Sequence, residues 1–227
     1  MKFQAIASWT HKWLALIIGV QVLFWVGSGF FFTLFPIERV RSEHRIAHEH
    51  AAPLNAPIAD VSALLPEAPT RVTYERDAAG DAVAVAEFAE RRPILIDLQD
   101  WRVASPLSAD AAVQIAQAYT AGSPRVRERR LVREETPEYR GPLPAWRIAF
   151  DDAEGLAVYV AADTARVTAR RSDLWRVYDA LWALHIMDWR DHENFNSGLL
   201  IATSFIALIV VLAGFILFPY RLNLRRR

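Results

Sequence analysis

Cysteine is absent from all 227 residues. Disulfides, thiolate catalysis and cysteine-ligated zinc or iron–sulfur sites are excluded by that absence, which does not identify the redox compartment. An excess of positive charge is also missing, because 26 Lys and Arg residues balance 26 Asp and Glu residues. Phosphate neutralisation needs a basic face, and the chain has only a short basic tail, so nucleic acid is set aside as a partner. Nor is there a nucleophile with an identifiable base, a glycine-rich phosphate loop or a dinucleotide fingerprint, which leaves no hydrolase signature.

What is present is a strong segregation of apolar residues. From Trp13 to Phe35 the chain reads WLALIIGVQVLFWVGSGFFFTLF without an ionisable group. At about 1.5 Å per residue a helix of that length crosses a hydrocarbon core of roughly 30 Å. Gln21, Ser28 and Thr33 are its only clearly polar side chains. The block is too long for a cleaved leader, and Phe30-Phe31-Phe32 replaces the small-residue cleavage pattern, so it reads as an uncleaved anchor. A second block, Ser197 to Tyr220, reads SGLLIATSFIALIVVLAGFILFPY and is followed by Arg221, Arg225, Arg226 and Arg227. Basic flanks favour the cytoplasmic side, so this tail, with Lys2 and Lys12, places both termini inside and the intervening domain outside. The expected organisation is residues 1–12 in the cytoplasm, 13–35 as a first span, 197–220 as a second span and 221–227 as a cytoplasmic tail.

The segment between the spans is punctuated by proline into similar halves. In the second, SADAAVQIAQAYTA (Ser108 to Ala121) has a serine N-cap and apolar residues at helical spacing, followed by strand-like runs at Val126 to Arg133, Ala145 to Phe150 and Ala157 to Val160. In the first, Pro57 to Leu65 takes the helix position, before runs at Arg71 to Glu75, Ala82 to Phe88 and Pro93 to Leu98. The fold class is therefore α+β, with two transmembrane helices flanking a domain built from two units of helix plus small antiparallel sheet. Residues 173–196 read as an amphipathic interfacial helix and loop.

Three stretches carry a resemblance to a known family: WTHKWLALIIGVQVLFWVGSGFFFTLFP, LPAWRIAFDDAEGLAVYVAADTARVT and LWRVYDALWALHIMDWRDHENFNSGLL. They resemble the PepSY domain proteins, specifically the membrane-anchored PepSY-TM branch, of which this would be a short two-span member. The resemblance implies a first PepSY-like half at 36–106, a second at 107–172, a bacterial inner membrane and a periplasmic domain. Some membrane PepSY proteins look like haem-containing siderophore-iron reductases, which the resemblance carries here as an expectation of electron transfer in iron handling.

The six histidines fall at the expected membrane boundaries. His11 precedes the first span; His44, His48 and His50 follow it in RSEHRIAHEH; His185 and His192 precede the second. His44 and His48 share a helical face if the first helix continues past the membrane. Trp175, Tyr178, Trp182, His185 and Trp189 recur at intervals of three and four, making one aromatic face. One reading is that His44 or His48, with His185, ligates a b-type haem between helices, His11 serving a second haem shared between two copies. The other is that these rings gather at headgroup depth because amphipathic side chains suit that boundary. His192 reads as an exposed loop residue whose replacement is harmless. The HEH triplet fixes no metal geometry, so no metal site is assigned.

Asp97 with Asp100, and Asp151 with Asp152 and Glu154, sit at predicted turns and read as turn chemistry. RVRERRLVR (Arg125 to Arg133) reads as a half-exposed strand. Gly27, Gly29 and Gly214 suggest close helix association and a homodimer within the lipid bilayer. Two functions remain open at this point. One is a haem-linked redox component with a redox or periplasmic protein partner. The other is an anchored PepSY binding or peptidase-inhibitory module without a redox centre.

Overall fold

The structure is a computed structural model and describes residues 2–47, 54 and 60–221. It divides into two compact units, one formed by Met1–Pro36 with Val177–Arg227 and the other by Ile37–Arg176.

The first unit is helical. Helix α1 runs unbroken over Lys2–Leu34, and its apolar stretch covers Ala5–Leu34. It begins before Trp13 because nothing between Lys2 and Leu34 breaks a helix, so His11 and Lys12 lie inside it rather than ahead of it. It stops where Pro36 disfavours helical geometry at the preceding residue. The expected continuation that would have aligned His44 with His48 is therefore not formed. Chain-terminal α5, Gly198–Arg221, is the second long apolar helix. Only 11% of each apolar window is buried within the protein, which separates these helices from the core helix of a soluble domain. Both are long and apolar enough to cross a membrane, and they pack against each other.

The second unit is the mixed α/β part. A short helix α2, Ile37–Val40, opens it. Strands β1 (Arg71–Arg76), β2 (Ala82–Glu87), β3 (Ile94–Asp97) and β4 (Arg102–Val103) form an antiparallel meander in that order. Helix α3, Ala109–Tyr119, follows, and its first turn is held by Ser108, whose hydroxyl accepts from the Ala111 N–H. A second meander is built from β5 (Val126–Val132), β6 (Ala145–Phe150), β7 (Ala157–Ala161) and β8 (Val167–Arg171). Each sheet thus has four strands where the apolar runs indicated three. The unmarked strands are β4, which has two exposed residues, and β8, which is mostly polar. In the first half, Ser62–Leu64 forms a single 3₁₀ turn in place of the expected helix from Pro57 to Leu65, whose first three residues lie outside the described ones.

Strand periodicity explains the core. Val83, Val85 and Leu95 share one cluster with Ala112, Ile115 and Ala116 of α3 and with Ile148, Phe150, Val158 and Val160. The alternate residues Ala82, Ala84 and Ile96 enter a second cluster with Val61, Leu64 and Leu65. On the second sheet Ala149, Ala157 and Tyr159 turn the other way, toward Val132 and Tyr139. Strands β2 and β7 are consequently buried on both faces, which is why AVAVA and AVYVA show no polar alternation.

Candidate functional site

Helix α4, Asp173–Ile186, delivers His185. A helix leaves its last carbonyls without intrahelical donors, and here side chains of α1 supply them. Gln21 Nε2 donates to the Leu184 carbonyl at 3.0 Å and Trp25 Nε1 to the His185 carbonyl at 2.6 Å. One helical turn on, Ser28 Oγ lies 2.7 Å from His185 Nδ1. Ser28 also donates its single hydroxyl proton to the Phe24 carbonyl at 2.6 Å, so its oxygen accepts from His185. Nδ1 of His185 therefore carries the proton and Nε2 holds the lone pair in the neutral ring. Burial lowers the imidazole below its ordinary pKa and favours that neutral form.

The ring is walled by aromatics. Trp182 stacks parallel to it at 6.2 Å, and Phe32 and Trp25 lie at 5.7 and 6.5 Å. Phe32 also meets Tyr178 at 4.5 Å and Trp182 at 6.1 Å. Of the five-residue aromatic face expected on this helix, Tyr178, Trp182 and His185 form one cluster. Trp175 instead receives the Arg171 guanidinium at 4.0 Å, and Trp189 lies beyond the helix end, largely exposed.

His11 occupies a second place in the same unit. Its Nδ1 lies 2.9 Å from the Val210 carbonyl, in the middle of α5. A carbonyl only accepts, so this ring too is protonated on Nδ1 and has Nε2 left over. Gly214 makes the approach feasible, because a Cβ there would come within 3.2 Å of His11 Cε1. The seventeen residues from His11 to Ser28 span about 25 Å of helix, so the His11 and His185 sites are separate.

His44 belongs to the other unit, in a 3₁₀ turn over Glu43–Arg45. Its Nε2 donates to the Glu154 carboxylate at 3.1 and 3.2 Å. Arg45 donates to Glu154 at 3.1 Å and forms an ion pair with Asp152 at 2.9 Å. Burial alone would raise the Glu154 carboxyl, but the bonds from His44 and Arg45 outweigh it and hold the value below the ordinary glutamate range. With Arg39, Ser172 and Asp173, His44 and Glu154 line a cavity of about 200 Å³. His48 and His50 lie outside the described residues.

His192 is not the free loop residue the sequence indicates. It is half-buried with a left-handed backbone, its Nδ1 lies 2.6 Å from Asp179 Oδ2, and its carbonyl accepts from Trp182 Nε1 at 3.1 Å. The loop is shaped by Asp188, whose two oxygens accept from the N–H groups of Arg190, Asp191, Glu193 and Asn194. Asp97 and Asp152 likewise spend an oxygen on backbone N–H groups two to four residues ahead. Among the described residues no group of three His, Asp or Glu side chains could hold a metal ion.

Gln21, Trp25 and Ser28 were not marked as site residues by the sequence. The available signal was their spacing: with Phe32 they fall at i, i+4, i+7 and i+11, one face of a helix whose stretch from Trp13 to Leu34 has Thr33 as its one other clearly polar side chain. Comparison with protein-family models, with curated proteins and with solved structures gave no match.

Proposed function

We propose that the protein is a membrane-anchored electron-transfer component of the PepSY-TM type. In this reading it sits in a bacterial inner membrane, with both termini cytoplasmic and the α/β unit in the periplasm. His11 and His185 would hold b-type haem through Nε2, together with residues of a second copy of the chain. The observation that carries the reading is hydrogen bonding: both imidazoles donate from Nδ1 to a protein oxygen, the arrangement that orients a histidine and leaves Nε2 for iron. His44 does not fit, because its Nε2 is already engaged by Glu154.

When bound, haem supplies a reversible one-electron change at iron. The chain's own part is to hold each ring in a fixed orientation. Ser28 and the Val210 carbonyl set the tautomers, while Trp25, Phe32 and Trp182 exclude water around His185. Ferric iron held by a siderophore is the proposed electron acceptor.

A reduced-minus-oxidised visible spectrum of the full-length protein, purified in detergent from haem-replete cells, tests this. A b-type spectrum that is diminished in His11→Ala and in His185→Ala and unchanged in His44→Ala is expected. A colourless wild-type protein overturns the reading and leaves the anchored PepSY binding or peptidase-inhibitory module.

A further inference from the structure

Residues Arg125 to Arg133 hold five arginines and one glutamate. Strand β5, which they contain, is an end strand in the order β5-β6-β7-β8. An end strand carries backbone N–H and C=O groups along its outer side that its own sheet does not use. Arg129 is ion-paired with Asp110 of α3, and Glu128 with Arg147 at 3.2 Å. Arg125, Arg127, Arg130 and Arg133 are all exposed, and none has a carboxylate partner among the described residues. A register shift between Val126 and Glu128 places Arg127 in a bulge on this edge. At the far end a cavity of about 250 Å³ is lined by Arg130, Leu131, Val132, Arg133, Glu134 and Thr136.

Each feature selects against one kind of neighbour and for another. Like charges facing one another across a strand pair are destabilising, so a second copy of β5 is repelled. An extended segment bearing carboxylates meets the opposite condition: its charges neutralise the four unpaired guanidinium groups, and its backbone completes the ladder. An anionic lipid surface could use the charges but not the backbone groups. We propose that β5 is a docking edge for an acidic, extended segment of a partner protein, added to the sheet as a fifth strand. Leu131 and Val132 give the adjoining cavity an apolar wall for one side chain of that segment. This inference goes beyond the electron-transfer reading and depends on neither His11 nor His185.

The test uses the full-length protein in neutral detergent and, as probe, a fluorescein-labelled nine-residue peptide of alternating Glu and Val, followed by fluorescence anisotropy. Saturable binding is expected, weakened at least tenfold by Arg127→Glu with Arg130→Glu and at least tenfold when the central Val of the peptide is replaced by Pro. Both substituted positions are exposed, and an unchanged thermal unfolding curve verifies the fold. Arg125→Gln with Arg133→Gln, expected to weaken binding severalfold, serves if the first pair unfolds. Absence of binding, or binding indifferent to the arginines, overturns the proposal. Equal binding of the Pro peptide also overturns it, because charge alone would then account for the attraction.

Discussion

The packed helices of one unit and the ion-pair clusters of the other satisfy their polar groups in different ways. Where α1 meets α4 and α5, each polar side chain reaches one group on the facing helix: Ser28 to His185, Gln21 to Leu184, His11 to Val210, and the Asp188 loop is the place in that unit where one side chain gathers several donors. In the α/β unit polar contacts come as hubs. Glu138 accepts from Arg176 at 2.5 Å, from Tyr159 at 2.8 Å and from Arg147 at 3.4 Å, while its backbone carbonyl accepts from Arg171 at 2.7 Å. Glu154 is shared by His44 and Arg45 in the same manner. A hub distributes loss over several partners, except when the hub itself is removed. A solitary bond has nothing to fall back on. The comparison teaches that the position of a residue in its network, more than its individual bond strength, sets the cost of replacing it.

The largest expected effect is therefore removal of a hub. Glu138→Ala leaves two guanidinium groups and the phenol of the buried Tyr159 without their shared acceptor, and a loss of about 3 kcal/mol is expected in chemical denaturation. The same residue links stability to pH. Burial raises the Glu138 carboxyl, but bonds from Arg176 and Tyr159 outweigh that and leave it below the ordinary glutamate value, while Tyr159 is pushed up to about 12 by burial and by Glu138. A lowered carboxyl contributes stability that is fully present above the unfolded value of about 4.3 and is lost as pH falls through the folded value. Acid unfolding midpoints should accordingly rise in Glu138→Gln, and an unchanged midpoint would show that Glu138 is not the hub.

Next comes a solitary contact. Ser28→Ala removes the acceptor of the His185 Nδ1 proton, with an expected cost of about 1–2 kcal/mol and a displaced imidazole signal in nuclear magnetic resonance. If the cost is negligible, the contrast between the units fails. The smallest effect is expected at a hub's periphery. His44→Ala leaves Arg45 on Glu154, so the thermal midpoint should move by the equivalent of about 0.5 kcal/mol or less. A larger loss would mean that the shared carboxylate depends on both donors.

How much of this was legible in the sequence follows the same division. The two apolar helices announce themselves as uninterrupted apolar runs, α3 by its serine cap and helical spacing, and the central strands as short apolar runs that are buried on both faces. Strands β4 and β8 do not, since their residues are largely polar and pairing with a neighbour alone defines them. His185 stood out among aromatics, but its partner Ser28 lies 157 positions away, and no local pattern connects them. Gly214 appeared as a small residue for helix association, and its role in seating the His11 ring emerges only from the packing of two distant helices. Glu138 gave no signal at all, because its three side-chain partners come from β6, β7 and α4.

The length of α1 has a mechanical side. Thirty-three residues make a rod of about 50 Å, longer than the roughly 30 Å hydrocarbon core it would cross. Such a rod meets a change in bilayer thickness by tilting, and a tilt of about 5° about one end sweeps the other through about 4 Å. Gln21, Trp25 and Ser28 fasten the end of α4 to this rod at three successive points, so His185 and its stacked Trp182 swing with it as one body. The thickness of the surrounding lipid thereby becomes a lever on where that imidazole stands.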